Sequence, residues 1–372
     1  MNIGVCFGGY SPMHQGHLDL IMKSKKLNDI TYVIVCGYDD DPRGLLLPLE
    51  KRYNIIRNFL QEETVKVHMI NDTKLGLDES MSLNNWKVWL GEVDKIISQN
   101  LKLSGDEINN WAKVRGVTFY VAEDRYVNDI AEAVRNGALY MYNVKVDFSD
   151  RNENPISGTM CRENPIAHWF KIAQPFRAYY SHNILIAGTA SEGKTTLVRD
   201  IGKYFGIPYS YEKGRDICHL KKDTEFNFKD FMYNITEQNR YNEELICSPQ
   251  NPGVFISDTD NMVTLMYASA YSNRKGFSIN REEYNVLYEN VKQYAKTIKW
   301  NKIFLLKPKV KPIVDDGERY MPDSDYYIRL EFYNNLKILY KTFGYEFEEL
   351  DGNYYENFCT VRDYIRSIGY KN

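Results

Sequence analysis

Two short segments carry the residue types that grip phosphate, and they lie about half a chain apart. The first is Gly8-Gly9-Tyr10-Ser11-Pro12-Met13-His14-Gln15-Gly16-His17. A glycine pair after an apolar run lets the backbone turn sharply and approach an anion, and Pro12 stiffens the exit from that turn. His14 and His17 are three apart, so at a helix start both imidazoles face one side. Two imidazoles beside a helix N-terminus suit a triphosphate and the charge that develops on it. A capped turn with ordinary surface histidines, or a metal pair, are the alternatives, although H-x-x-H alone lacks the further ligands of a metal site.

The second segment is Gly188-Thr189-Ala190-Ser191-Glu192-Gly193-Lys194-Thr195, followed by Thr196. It fits G-x-x-x-x-G-K-[ST] at every fixed position, between an apolar run and a helical pattern, the context of a P-loop. The amides of Gly188, Ser191, Glu192, Gly193 and the residues through Thr196 cradle a nucleotide. Lys194 reaches the β and γ oxygens, and the Thr195 hydroxyl sits on Mg²⁺. ATP is the expected nucleotide. Downstream, Val254–Ser257 is an apolar strand that runs into Asp258-Thr259-Asp260. Asp258 at that strand end is placed to hold Mg²⁺ or to take a proton from a hydroxyl nucleophile. Asp260 would stand beside it near the acceptor only if the strand continues; a solvated turn is the alternative. Glu212 and Arg215, after another short strand, are candidates for the acceptor ribose. The Asp315-Asp316-Gly317-Glu318-Arg319 loop puts Arg319 where a cation steadies a transferred phosphoryl group, unless it is a plain turn.

The elements that must position these residues alternate. Apolar runs at Ile3–Phe7, Ile30–Cys36, Val65–Ile70 and Val117–Val121 read as strands, and Gln15–Lys26, Glu50–Leu60, Trp86–Ile97 and Val127–Arg135 as helices. The pattern restarts with strands at Asn183–Ala187, Val254–Ser257 and Lys302–Leu306. Helices are predicted at Lys194–Tyr204, Phe228–Leu245, Arg281–Thr297, Asp325–Phe343 and Tyr355–Ile368. Strands alternating with helices imply parallel sheets covered on both faces, hence an α/β chain with two parallel-sheet domains, 1–175 and 176–372, meeting around Pro175–His182.

Composition narrows the class. Of 372 residues 43% are hydrophobic, enough for two cores, and the net charge of −3 disfavours a chain built to bind nucleic acid along its backbone. The 30 tyrosines fit an A/T-rich coding sequence, which also favours Lys, Asn and Ile. The six cysteines form no C-x-x-C pair, so zinc and redox motifs are not expected, and Cys6 and Cys36 read as buried thiols. With no apolar run of membrane-spanning length and no signal-like N-terminus, a cytoplasmic protein without membrane partners is expected. The composition is compatible with a homo-oligomer.

The first segment resembles the G-x-F-x-P-x-H-x-G-H motif of the nucleotidyltransferase superfamily, with Tyr10 in place of Phe. Its second motif, I-S-S-T-x-x-R, is similar to Ile156-Ser157-Gly158-Thr159-Met160-Cys161-Arg162, with Gly158 for the second Ser. A hydroxyl-rich turn opening a helix, with Arg162 one turn in, would grip the ATP phosphates through Ser157, Thr159 and the guanidinium. The continuation Glu163-Asn164-Pro165, and Arg43-Gly44, Pro48-Leu49, Arg52, Trp86, Trp89 and Glu123-Asp124, look like bifunctional NadR-type proteins. So do Asp258-Thr259-Asp260, the Asp315–Arg319 loop and Leu350-Asp351-Gly352-Asn353-Tyr354. The resemblance covers about Asn2 to Ile368. It implies a Rossmann-like nicotinamide mononucleotide adenylyltransferase followed by a P-loop ribosylnicotinamide kinase. The expected ligands are ATP, nicotinamide riboside, nicotinamide mononucleotide and NAD. Trp86 would stack on the nicotinamide ring, with helix core at i, i+3 the alternative for both tryptophans. Some relatives carry an N-terminal helix-turn-helix and repress transcription; this chain starts at the first strand, so that role is not expected. A coenzyme A pathway fusion of adenylyltransferase and kinase, or a nucleotide sensor, are the competing readings.

Overall fold

The apolar runs form parallel strands buried on both faces, and the helices between them supply the cover. The computed structural model describes residues 1–41, 47–78, 80, 82–103, 114–150, 155–218, 225–272, 279–310 and 325–371. It divides into two units, Met1–Tyr179 and Tyr180–Asn372.

The first unit runs β1 (Asn2–Gly8), α1 (Gln15–Leu27), β2 (Ile30–Gly37), α2 (Leu49–Leu60), β3 (Val65–Asn71), α3 (Leu83–Leu103), β4 (Gly116–Val121), α4 (Asp124–Arg135), β5 (Val144–Phe148), α5 (Gly158–Glu163) and α6 (Gln174–Arg177). The strand order is β3-β2-β1-β4-β5, all parallel. Ile3, Val5, Tyr32, Ile34, Val117 and Phe119 face Leu90, Val93 and Ile97 of α3 and Ile130 and Ala133 of α4. Chain direction across the sheet reverses between β1 and β4. Ligands bind in α/β sheets at such a switch point, outside the C-terminal strand ends, and the first motif leaves β1 there. Arg52 of α2 is 1% exposed. It ties that turn down, donating to the Leu47 carbonyl at 2.9 Å and to the Gly9 carbonyl.

The second unit runs β6 (His182–Gly188), α7 (Lys194–Phe205), β7 (Tyr209–Ser210), α8 (Gly214–Cys218), α9 (Phe228–Cys247), β8 (Val254–Ser257), α10 (Asn261–Ser272), α11 (Arg281–Tyr294), β9 (Lys302–Leu306), α12 (Tyr326–Thr342), β10 (Glu348–Leu350) and α13 (Tyr354–Ser367). Its sheet is again parallel, ordered β10-β9-β6-β8-β7. The central β6 delivers the glycine-rich loop between the ends of β8 and β9.

Among the elements that escape the sequence reading are β5, α8, α10 and β10. Cys6 is buried, and desolvation pushes its thiol up to about 12. Cys36, expected to be buried too, is only half-buried. No disulfide joins the described cysteines. No helix among the described residues is long and apolar enough to cross a membrane.

Candidate active sites

In the first unit Gly8 closes β1 and Tyr10 takes a left-handed backbone, φ +46°. Its ring is buried and meets His17 edge-on, centroids 4.8 Å apart. The Tyr10 side chain therefore supports the histidine and leaves its backbone to the ligand expected at this turn. His14 occupies the N-cap of α1, and its ring stacks on His17 at 3.7 Å. The His14 N–H donates to His17 Nδ1 at 3.3 Å, so in neutral His17 the hydrogen sits on Nε2, a donor. Among the described residues no third His, Cys, Asp or Glu joins them in a metal-sized group.

The second motif comes to the same place. Ser157 caps α5 by accepting from the Met160 N–H at 3.2 Å. Arg162 reaches back to the Thr159 hydroxyl at 2.9 Å and to the Ser11 carbonyl of the first turn. A Cβ at position 158 would stand 3.2 Å from the Ser11 carbonyl oxygen and 3.1 Å from Arg162 Nη1. Gly158 thus trades a hydroxyl for close approach of the two motifs. Imidazole and guanidinium donors here surround a glycine turn at a helix N-terminus, an arrangement that binds polyphosphate.

Trp86 lies in the core, 4% exposed, with Phe7, Trp89 and Tyr126 around it at 6.0, 5.8 and 5.7 Å, all edge-on. That is the helix-core alternative, so Trp86 presents no open face for stacking. Arg43 and Gly44 lie outside the described residues.

In the second unit the loop after β6 is shaped by Gly188 (φ +150°), Ser191 (φ +61°) and Gly193 (φ +88°). A Cβ on Gly188 would meet the Leu306 carbonyl at 3.0 Å, so only glycine fits. Lys194 is buried and donates to the Thr189 carbonyl at 2.9 Å, which holds the ammonium at its own loop. Thr196 is exposed on the first turn of α7. The Thr195 hydroxyl donates to Asp258 Oδ2 at 2.6 Å, and Arg215 approaches Thr195 Oγ1 at 3.4 Å. Glu212 lies 3.9 Å from Arg215. Burial above all, and then the Glu212 charge, push the Asp258 carboxyl up to about 6, against Lys194, Thr195 and Arg215, which pull it down. Its Oδ1 has no hydrogen-bond partner among the described residues. An orphaned carboxylate oxygen beside the Thr195 hydroxyl fits Mg²⁺, which takes one or two protein oxygens and shares the rest with phosphates and water.

One assignment needs correction, and one lies out of reach. Asp260 does not face the acceptor. The strand ends at Ser257, and Asp260 Oδ1 accepts from the Met262 and Val263 N–H groups at 3.1 and 3.3 Å and from the Tyr340 hydroxyl at 2.9 Å. It caps the start of α10. The Glu192 side chain is buried against Arg329, and its backbone amide is left for the phosphate contact expected of it. Arg319 and its loop lie outside the described residues. Sequence reasoning gave no role to Arg52, although it quoted the residue, and did not identify Arg329 or Tyr267, whose hydroxyl accepts from the Ala190 N–H at 3.1 Å.

Asp258 also carries a stability signature. Its folded pKa is raised, so the folded state holds this proton more tightly than the unfolded one. Stability is lost as pH climbs from the ordinary carboxylate value through about 6. Asp258→Asn is expected to raise the stability of the nucleotide-free protein at pH 8 by about 1–3 kcal/mol, less at pH 5. Thermal melts at the two pH values check it.

The folds and the two anion sites define a chain that pairs a nucleotidyltransferase-type unit with a P-loop unit. The cytidylyltransferase-like family matches residues 5–164 and the AAA domain family residues 183–357. Over its full length the chain is similar to the NadR protein solved in complex with NR. That match has a TM-score of 0.82 and 29% identity, covering 100% of this chain and 97% of that one. It is equally similar to NadR in complex with NAD and AMP-PNP, at TM-score 0.82 and 30% identity with the same coverage. The chain belongs to the NadR family. It is 25% identical over 287 residues to the trifunctional NAD biosynthesis/regulator protein NadR of Salmonella typhimurium (strain LT2), matching 74% of this chain. The Escherichia coli (strain K12) protein is also 25% identical, over 73% of this chain. The matches span 64% of the length of these curated relatives.

Proposed function

We propose that the second unit phosphorylates the 5′-hydroxyl of nicotinamide riboside from ATP, and that the first unit joins the resulting mononucleotide to AMP from a second ATP, giving NAD and pyrophosphate. The observation that carries this reading is the presence of two phosphate-binding motifs on one chain similar, end to end, to a protein solved with NR and with NAD and AMP-PNP.

In the kinase step the riboside oxygen attacks the γ-phosphorus and ADP leaves. Lys194 and Arg319 are assigned to the charge on the phosphoryl oxygens, and Glu212 and Arg215 to the ribose. Asp258, desolvated and pushed up to about 6, suits either acceptance of the hydroxyl proton or a share in the cation held by Thr195. Mg²⁺, when bound there, neutralises charge on the β- and γ-phosphates. In the transferase step a phosphate oxygen of the mononucleotide attacks the α-phosphorus of ATP, and pyrophosphate leaves. No side-chain nucleophile is needed. His14, His17 and Arg162 align the triphosphate and offset the charge moving onto pyrophosphate.

Each half is tested with its own substrate. ATP, Mg²⁺ and nicotinamide riboside should give the mononucleotide and ADP; ATP, Mg²⁺ and the mononucleotide should give NAD and pyrophosphate. Turnover with pantetheine-type substrates alone would replace this reading by the coenzyme A one. Nucleotide binding without turnover would favour a sensor.

A further inference from the structure

The P-loop of the second unit holds a conformation that its sequence alone does not favour. Ser191, a residue with a Cβ, sits at φ +61° immediately before Glu192, and Gly193 follows at φ +88°. A left-handed non-glycine residue is strained, and persists only where its surroundings over-determine it. The tether is the side chain of the residue between them. Glu192 pairs with Arg329 of α12, and both side chains are 1% exposed. Arg329 Nη2 also donates to the Lys309 carbonyl at 3.0 Å, and the Lys309 N–H donates to Glu192 Oε2 at 3.3 Å. One carboxylate thus fastens the loop apex to the segment after β9 and to α12. Burial at this depth keeps both groups from meeting a nucleotide directly.

We propose that the buried Glu192–Arg329 pair is a positioning device for the kinase step: it holds the P-loop in its phosphate-accepting shape before ATP arrives. This rests on the kinase reading of the second unit. A buried ion pair is a poor stabiliser, since apolar residues of similar volume often do as well or better, whereas loss of one partner strands a buried charge. Stability and positioning therefore separate in the right variants.

The test is the double variant Glu192→Leu/Arg329→Met, followed by thermal melting and steady-state kinetics of both reactions. Expected are a melting temperature close to the parent's, a KM for ATP in the kinase step raised at least about tenfold, and unchanged NAD formation from the mononucleotide. Arg329→Lys, which keeps the charge without the fork, should fall in between. A stable double variant with the parent's ATP KM overturns the proposal, as does a variant that loses stability alone. Should the double variant not fold, Glu192→Asp makes the same distinction. It keeps both charges and shortens the tether, so a raised KM supports the device and an unchanged one overturns it. Failure of the unaltered protein to phosphorylate nicotinamide riboside would instead remove the kinase reading itself.

Discussion

Replacing Lys194 by alanine is expected to abolish phosphorylation of nicotinamide riboside, by roughly 10³-fold or more in kcat, and to leave NAD formation from supplied mononucleotide intact. The ammonium is buried in the loop it serves, bonded to the Thr189 carbonyl, with Thr195 next in sequence and Asp258 beyond it. The P-loop pattern puts it where β- and γ-phosphate charge would develop, and burial strengthens its effect. Alanine removes the hydrogen bond to the Thr189 carbonyl, worth about 1 kcal/mol, and the unit is expected still to fold. Arginine should not rescue, because a planar fork does not fit a pocket built for a compact ammonium. Separate assays of the two half-reactions check this. Loss of both would mean that the units act as one.

His17→Ala should do the reverse. NAD formation from the mononucleotide is expected to fall roughly 10²–10³-fold in kcat with the riboside kinase intact. Two effects combine. The variant loses the Nε2 donor that the His14 N–H bond to Nδ1 leaves available, and it strips His14 of the ring stacked on it at 3.7 Å. It also leaves the buried Tyr10 ring without its edge-on partner, so some loss of stability is expected and melting should accompany the assay.

Local patterns made most of this legible. Both phosphate loops are contiguous in sequence, and a glycine-rich turn between an apolar run and an amphipathic helix carries its own structural instructions. The order of strands and helices around them was readable for the same reason: parallel strands buried on both faces stand out as unbroken apolar runs. The hidden elements are those with weak local signals. β5 is a half-exposed edge strand with only alternating Val144, Val146 and Phe148, and β10 is three residues long. Only three residues separate the end of β8 from the start of α10, inside what reads as a strand-end turn. That hidden helix is why Asp260 was misread. A second carboxylate two residues after Asp258 suggests an active-site pair, but it caps the next helix instead. The Glu192 side-chain pairing was not legible because its partner, Arg329, lies 137 residues away. Arg52 escaped for a like reason: the Gly9 carbonyl it holds is 43 residues upstream. For Trp86, i, i+3 spacing with Trp89 fits a binding face and a core face equally well, and only the packing of Phe7 and Tyr126 decides.

The central claim is that one chain performs two consecutive steps. The most direct measurement is a time course on the purified protein with ATP, Mg²⁺ and nicotinamide riboside, the products resolved by chromatography. The account predicts that nicotinamide mononucleotide forms first and that NAD and pyrophosphate follow from the same protein. Mononucleotide without NAD, or neither product, would contradict it.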